Sequence, residues 1–156
     1  MDVAGLAVLL KELEADAAVV RDAAAKAAQR VEQQYPGHLE AAAYELGRLY
    51  SAFERSLERI SDDFENQFER RGDYHAKLLQ RLSLDLPGIR PAFIPPERLP
   101  ALRELKGFRH LTRHAYDVVL REDRLRDLAR LGVQLADDLP GWSAEFATRV
   151  RREQGW

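Results

Sequence analysis

Three long stretches of the chain, residues 3–34, 39–69 and 97–154, carry apolar side chains at helical spacing, and no segment shows the sustained alternation that a strand requires. The first reads as one amphipathic helix from Val3 to Gln34, built on Leu6, Leu10, Leu13, Ala17, Val20, Ala24 and Val31. It has no internal proline, and its alanines let a neighbour approach closely. "YPGH" at Tyr35–His38 ends it, since proline and glycine together do not continue a helix cheaply. A second helix is expected from Leu39 to Glu69, with Tyr44, Leu46, Tyr50, Phe53, Leu57, Ile60, Phe64 and Phe68 as its core stripe. "RRGD" breaks the chain, and Tyr74–Leu82 forms a short helix. Residues 83–100 hold five prolines and read as a loop with extended pieces. Helix resumes near Glu97 and runs to about Leu120; after a turn at "RED", a last helix covers Asp123–Gln154, with a kink or interruption expected at Pro140 in "DLPG". The expected architecture is all-α, a helical bundle of four long helices plus a short helix, in a single domain over residues 1–156.

Composition narrows the function classes. With no cysteine, disulfides, thiolate metal sites and cysteine nucleophiles are excluded, and a reducing, cytoplasmic location is expected. The apolar run Ala4–Leu10 follows Asp2 and is cut short by Lys11 and Glu12, so it resembles neither a signal peptide nor a membrane span. A formal net charge of −2 excludes a surface that coats nucleic acid throughout, yet leaves room for a local basic patch. The chain carries 20 arginines and only Lys11, Lys26, Lys77 and Lys106 as lysines. Arginine is the side chain suited to bidentate phosphate contacts.

The fourth helix gathers such a patch. On a wheel at about 100° per residue, Ala101, Leu105, Phe108, Leu111, Ala115 and Val119 share the arc expected to face the core. Arg103, Lys106, Arg109, His110, Arg113 and His114 fall opposite, with Asp117 the only acid in that file. Like charges at helical spacing repel, which suits a face kept for an anionic partner. The plainer alternative is a solvated face whose charges meet acids elsewhere.

Within the patch, Arg109 and His114 stand about 140° apart around the axis, while Arg109 and Tyr116 lie nearly in line two turns apart. Histidine, with an ordinary pKa of about 6.5, exchanges protons near neutrality. Arginine holds a phosphate and stabilises the charge built on it in a transition state. The R-x4-H spacing by itself is expected about 0.5 times by chance in this composition, and Arg70–His75 also satisfies it at a helix break. Requiring tyrosine two residues beyond the histidine lowers the expectation to roughly 0.016. Only Arg109, His114 and Tyr116 meet that condition.

R-x4-H followed by x-Y on the penultimate long helix of a small bundle resembles the HEPN superfamily, specifically HepT-like ribonuclease toxins. "GDYHAKLLQRLSLDLPGIRPAFI" before the motif and "DLPG" after it are also similar to members of that family. The resemblance is most specific over residues 72–120. It implies a metal-independent endoribonuclease toxin acting as a homodimer or higher homo-oligomer, with two R-x4-H motifs facing each other in a composite cleft. Arg109 would bind and polarise the scissile phosphate, and His114 would activate the ribose 2′-hydroxyl or protonate the leaving 5′-oxygen, giving a cyclic 2′,3′-phosphate. The implied partner is an MNT-type nucleotidyltransferase antitoxin that transfers AMP onto Tyr116, adding bulk and negative charge beside the basic cleft.

His110 is either a second acid/base or a polar spacer, and Arg113 and Lys106 are candidate RNA contacts. A reading from a different class makes the chain a noncatalytic helical partner that docks a nucleotidyltransferase through the same basic face. No metal site and no cofactor is expected. Asp62–Asp63 and Asp137–Asp138 read as helix surface, E-x-x-H pairs and glycine-rich phosphate loops are absent, and His38 and His75 read as capping or surface residues.

Overall fold

The computed structural model describes residues 1–65, 70–114 and 117–156. It contains five α-helices among those residues: α1 Val3–Glu32, α2 His38–Glu65, α3 Tyr74–Leu82, α4 Leu99–His114 and α5 Glu122–Gln154, with a 3-10 turn at Pro96–Arg98 before α4. The only strand-like pairing among the described residues is an isolated bridge between Leu86 and Arg90. The all-α bundle expected from the apolar spacing is therefore the fold observed.

The Asp2 side chain caps α1 by accepting from the Gly5 amide at 2.7 Å, satisfying a donor that the helix leaves open. α1 packs along both α2 and α5, and α4 lies against α2, α3 and α5. Gly37 makes the turn into α2 at φ 85°, a left-handed conformation that glycine adopts without strain. Gly132 lets α5 approach α2: a β-carbon there would come within 2.8 Å of Leu49 Cδ1. The core is continuous from Leu6 and Leu9 on α1 through Tyr50, Phe53, Leu57 and Ile60 on α2 to Leu125, Leu128 and Phe146 on α5.

Three expectations change. Tyr44, placed in the core stripe of the second helix, is 70% exposed; Ala43 and Leu46 take the buried positions beside it. Phe68 lies outside the described residues. α4 ends its described helix at His114, and 118–121 are not helical. Its buried stripe stops at Phe108, with Leu111 47% and Val119 85% exposed, so neither of these two residues rewards further turns by packing. α5, by contrast, runs unbroken through Pro140. That proline sits on the exposed side, while Ala136, Leu139, Phe146 and Val150 around it are buried, and packing on both sides supplies what the lost backbone bond does not.

The proline-rich loop is more ordered than its composition implied. Phe93 and Ile94 are buried, and Phe93 packs edge-on against Trp142 and Phe146 of α5. Arg90 is the anchor: its side chain is fully buried and donates from Nε to Glu65 at 2.6 Å. It donates also to the carbonyls of Leu84, Pro91 and Arg81 at 3.1–3.2 Å. Burial pulls its pKa below the ordinary arginine value, opposed by Glu65, which also pairs with Arg81. Removing one member of a buried ion pair leaves the other uncompensated. Glu65→Ala is therefore expected to lower unfolding stability by about 3–5 kcal/mol, read as a fall in the urea midpoint with unchanged slope. A loss within error of zero would show that the carbonyl acceptors alone satisfy Arg90.

Candidate active site

Arg109 does not occupy the outer face that the wheel assigned to it. Only 14% of its side chain is exposed, and it leans onto α2. Nε donates to Ser51 Oγ at 2.9 Å, and Nη1 lies 3.8 Å from Glu54 Oε1. The guanidinium centre is 6.0 Å from the Tyr50 ring centroid, at the outer limit of cation–π attraction. The cause is local. Arg109 follows the buried Phe108 by one step of about 100°, which puts it at the border of the packed face, and its long stem carries the charge back to α2.

Beneath this contact Tyr50 is wholly buried, and its hydroxyl has no hydrogen-bond partner among the described residues. Burial, and then the charge of Glu54, push the phenol pKa up, with Arg109 pulling the other way.

The residue that sequence reasoning missed is Glu54. Its side chain is 7% exposed and lies 2.7 Å from Nδ1 of His75 on α3. One buried carboxylate thus serves His75 and Arg109 together. The sequence assigns His75 only a capping or surface role, and its R-x4-H partner Arg70 turns instead to Asp62 at 2.7 Å. Next to His75, Tyr74 donates to Glu58; burial and that hydrogen bond raise the tyrosine pKa. The available signal was the run Ser51, Glu54, Glu58 and Glu65, polar residues at helical spacing within an aromatic stretch.

The rest of the basic stripe divides in two. Arg103 is tied to Gln80 of α3 at 2.9 Å. Lys106, His110, Arg113 and His114 make no hydrogen bond or ion pair through their side chains with another described residue. His110 and His114 stand ring to ring, centroids 4.4 Å apart and planes at 44°, at the exposed end of α4. They form an H-x-x-x-H pair that the metal reading above overlooked. Among the described residues, no three histidine, aspartate or glutamate side chains converge to hold a metal ion. Of the acid pairs, Asp62 is engaged by Arg70 and Asp138 by Arg98 at 2.7 Å.

A cleft of about 590 Å³ opens between α2 and α4, with Tyr44, Arg48, Ser51, Arg109, Arg113 and Leu120 among its walls. Arg109 and Arg113 line it; His114 and His110 lie outside its lining, on the neighbouring surface of the same helix end. Tyr116, the expected modification site, lies outside the described residues, as does Ala115.

If Glu54 holds Arg109 in place, the two substitutions are not independent. A double-mutant cycle of Glu54→Ala and Arg109→Ala is expected to give a coupling of about 0.5–3 kcal/mol in unfolding free energy. Additivity within error, measured by urea denaturation, would show that the 3.8 Å contact carries no energy.

Comparison with known proteins adds one match. A family model described as HepT-like protein matches residues 41–150, a span that takes in most of α2, all of α3 and α4, and α5 as far as Val150. No curated protein matches the chain, and no solved structure does. With an R-x4-H motif on α4 of an all-α bundle and a match over this share of its length, the chain belongs to the HepT-like family of the HEPN superfamily.

Proposed function

We propose that this protein is a metal-independent endoribonuclease toxin, working as a homodimer and held in check by a nucleotidyltransferase antitoxin that transfers AMP to Tyr116. Family membership supports a HEPN-type ribonuclease. The single observation that carries the finer reading is the disposition of α4's cations. Arg109 is fixed by Ser51 and Glu54 at the wall of an open cleft, while His114 stands exposed and unpaired at the helix end.

In this reading the scissile phosphate docks against Arg109. A fixed guanidinium needs no reorganisation as charge builds on the phosphorane oxygens, which is where electrostatic catalysis gains most. One His114 imidazole takes the proton of the ribose 2′-hydroxyl as that oxygen bonds to phosphorus. A protonated imidazole from the second copy gives its proton to the departing 5′-oxygen. The P–O5′ bond breaks, leaving a 2′,3′-cyclic phosphate and a 5′-hydroxyl. His110, in ring contact with His114, supports its orientation, and Arg113 and Lys106 hold flanking phosphates. Adenylylated Tyr116, two residues beyond His114, would put a phosphate and a base at the approach to this surface.

Purified protein is expected to cleave RNA with EDTA present, and His114→Ala to lower the rate by about 10²–10⁴-fold. Arg109→Ala should cost about 10²–10³-fold, and Arg109→Lys, which keeps the charge beside Glu54, separates lost catalysis from lost stability. Equal cleavage by wild type and His114→Ala sinks the proposal. A further expected outcome is that Tyr116→Phe cleaves RNA normally yet escapes silencing by the nucleotidyltransferase and ATP. Mass spectrometry should find the added AMP on wild type alone; silencing of the phenylalanine variant would place the modification elsewhere.

A second reading, the noncatalytic partner that docks a nucleotidyltransferase through its basic face, draws on the outward, unpaired set Lys106, His110, Arg113 and His114. It expects binding without RNA turnover, so the His114→Ala comparison separates the two.

A further inference from the structure

The α2–α4 cleft carries features that phosphate chemistry alone does not call for. Tyr44 stands at its rim, 70% exposed, although aromatic residues on this helix are otherwise packed inward. One turn along, Gly47 leaves a gap beside it: a β-carbon built there meets nothing within 4 Å. Ala43 and Leu120 supply apolar wall. The cleft therefore offers one flat aromatic face, an apolar slot and room within the about 300–1,000 Å³ usual for small-ligand sites.

Its charge is one-sided. Arg48, Arg109 and Arg113 line it against Glu40 as the one acid among the described lining residues. Donor accounting then sorts the arginines. Arg48 is engaged by Glu45 and Asp22, and Arg109 spends Nε on Ser51 and aims Nη1 at Glu54. Arg113 keeps all of its guanidinium donors unspent among the described residues. A group that fits must carry an exposed π-face and a negative charge near it.

We propose that this cleft binds one unpaired nucleotide of a single-stranded RNA, its base laid on the Tyr44 ring beside Gly47 and its phosphate held by Arg113 with Arg109. The proposal rests on the reading of this surface as an RNA-cleaving site and adds to it a stacking position for one base. An A-form duplex keeps its base faces stacked away and does not offer one to a protein aromatic ring, whereas an unpaired base presents its π-face to any ring of the right height. The same cleft on each copy would fix one nucleotide beside the phosphate to be cut.

The test uses a fluorescent 2′-O-methyl oligoribonucleotide, which lacks the nucleophilic hydroxyl, so binding is read whether or not the protein cleaves RNA. Affinity is measured by anisotropy for the single strand and for the same strand annealed to its complement. Wild type is expected to bind the single strand more tightly. Tyr44→Ala should weaken that binding by on the order of 10- to 100-fold, the loss of one base–aromatic stack, while Tyr44→Phe keeps it. Gly47→Leu, whose β-carbon meets no atom within 4 Å and whose side chain occupies the slot, should weaken it likewise. Arg113→Ala should lower the slope of log affinity against log salt by about 1. Urea midpoints equal to wild type for the Tyr44 and Gly47 variants keep the comparison sound, since both positions face open space.

The inference is overturned if wild type fails to bind the probe, if the duplex binds as tightly, or if Tyr44→Ala and Gly47→Leu bind like wild type. It is also overturned if those two variants change only the oligomeric state by light scattering, because a second copy of the chain would then fill the cleft. Tyr44-dependent binding in a protein that cuts no unmodified RNA would retain the nucleotide site and reject the nuclease.

Discussion

A file of polar side chains down α2, Ser51, Glu54, Glu58 and Glu65, decides how the second half of the chain is mounted on the first. A buried carboxylate is costly unless it is paired and hydrogen-bonded, so the buried Glu54 and Glu65 demand partners from other elements. Glu54 takes His75 of α3 and Arg109 of α4; Glu58 takes Tyr74; Glu65 takes Arg81 and the fully buried Arg90 of the loop. Apolar packing brings these elements together without direction, and the paired charges then fix their rotation. A different helix rotation would part Glu54 and Glu65 from these partners.

That constraint reaches the chemistry directly. Arg109 is held from two sides by groups on a neighbouring helix, so its guanidinium is oriented before any phosphate arrives, and pre-orientation is what makes an electrostatic group effective in a transition state. His114, at the other end of the motif, is held by nothing but its helix and by contact with His110. The two residues of one motif are thus built differently: one locked into the fold, one presented to solvent. The proposed mechanism uses both properties, a fixed anion clamp and an accessible proton carrier.

The balance of global and local charge follows the same division. A chain of net charge −2 still shows a local cationic surface on α4, because acids of the other helices face arginines elsewhere and not this set. Asp16 and Glu12 take Arg59, Asp22 takes Arg48, and Glu32 takes Arg126. What remains unpaired on α4 is Lys106, His110, Arg113 and His114. Net charge describes the solution behaviour of the molecule, whereas the unspent donors describe what it attracts.

The sequence by itself determined where the helices lie, because apolar period acts within one turn or two, although Pro140 does not break α5 and α4 stops short of Leu120. α3 was legible at Tyr74–Leu82, α1 and α2 began where their spacing began, and the family resemblance rested on Arg109, His114 and Tyr116. What depended on a neighbour was not legible. A helical wheel cannot show that α2 stands close enough to draw Arg109 off the outer face. It cannot show that Tyr44 faces open space while Tyr50 six residues on is buried, or that Leu111 and Val119 of the expected apolar arc stand exposed. Nor can spacing along one chain show that Glu54 and His75, on separate helices, stand 2.7 Å apart. Helix periodicity is a property of adjacent residues and is written in their order. Burial, pairing and the shape of the α2–α4 cleft are set by distances between helices, and only the tertiary structure decided them.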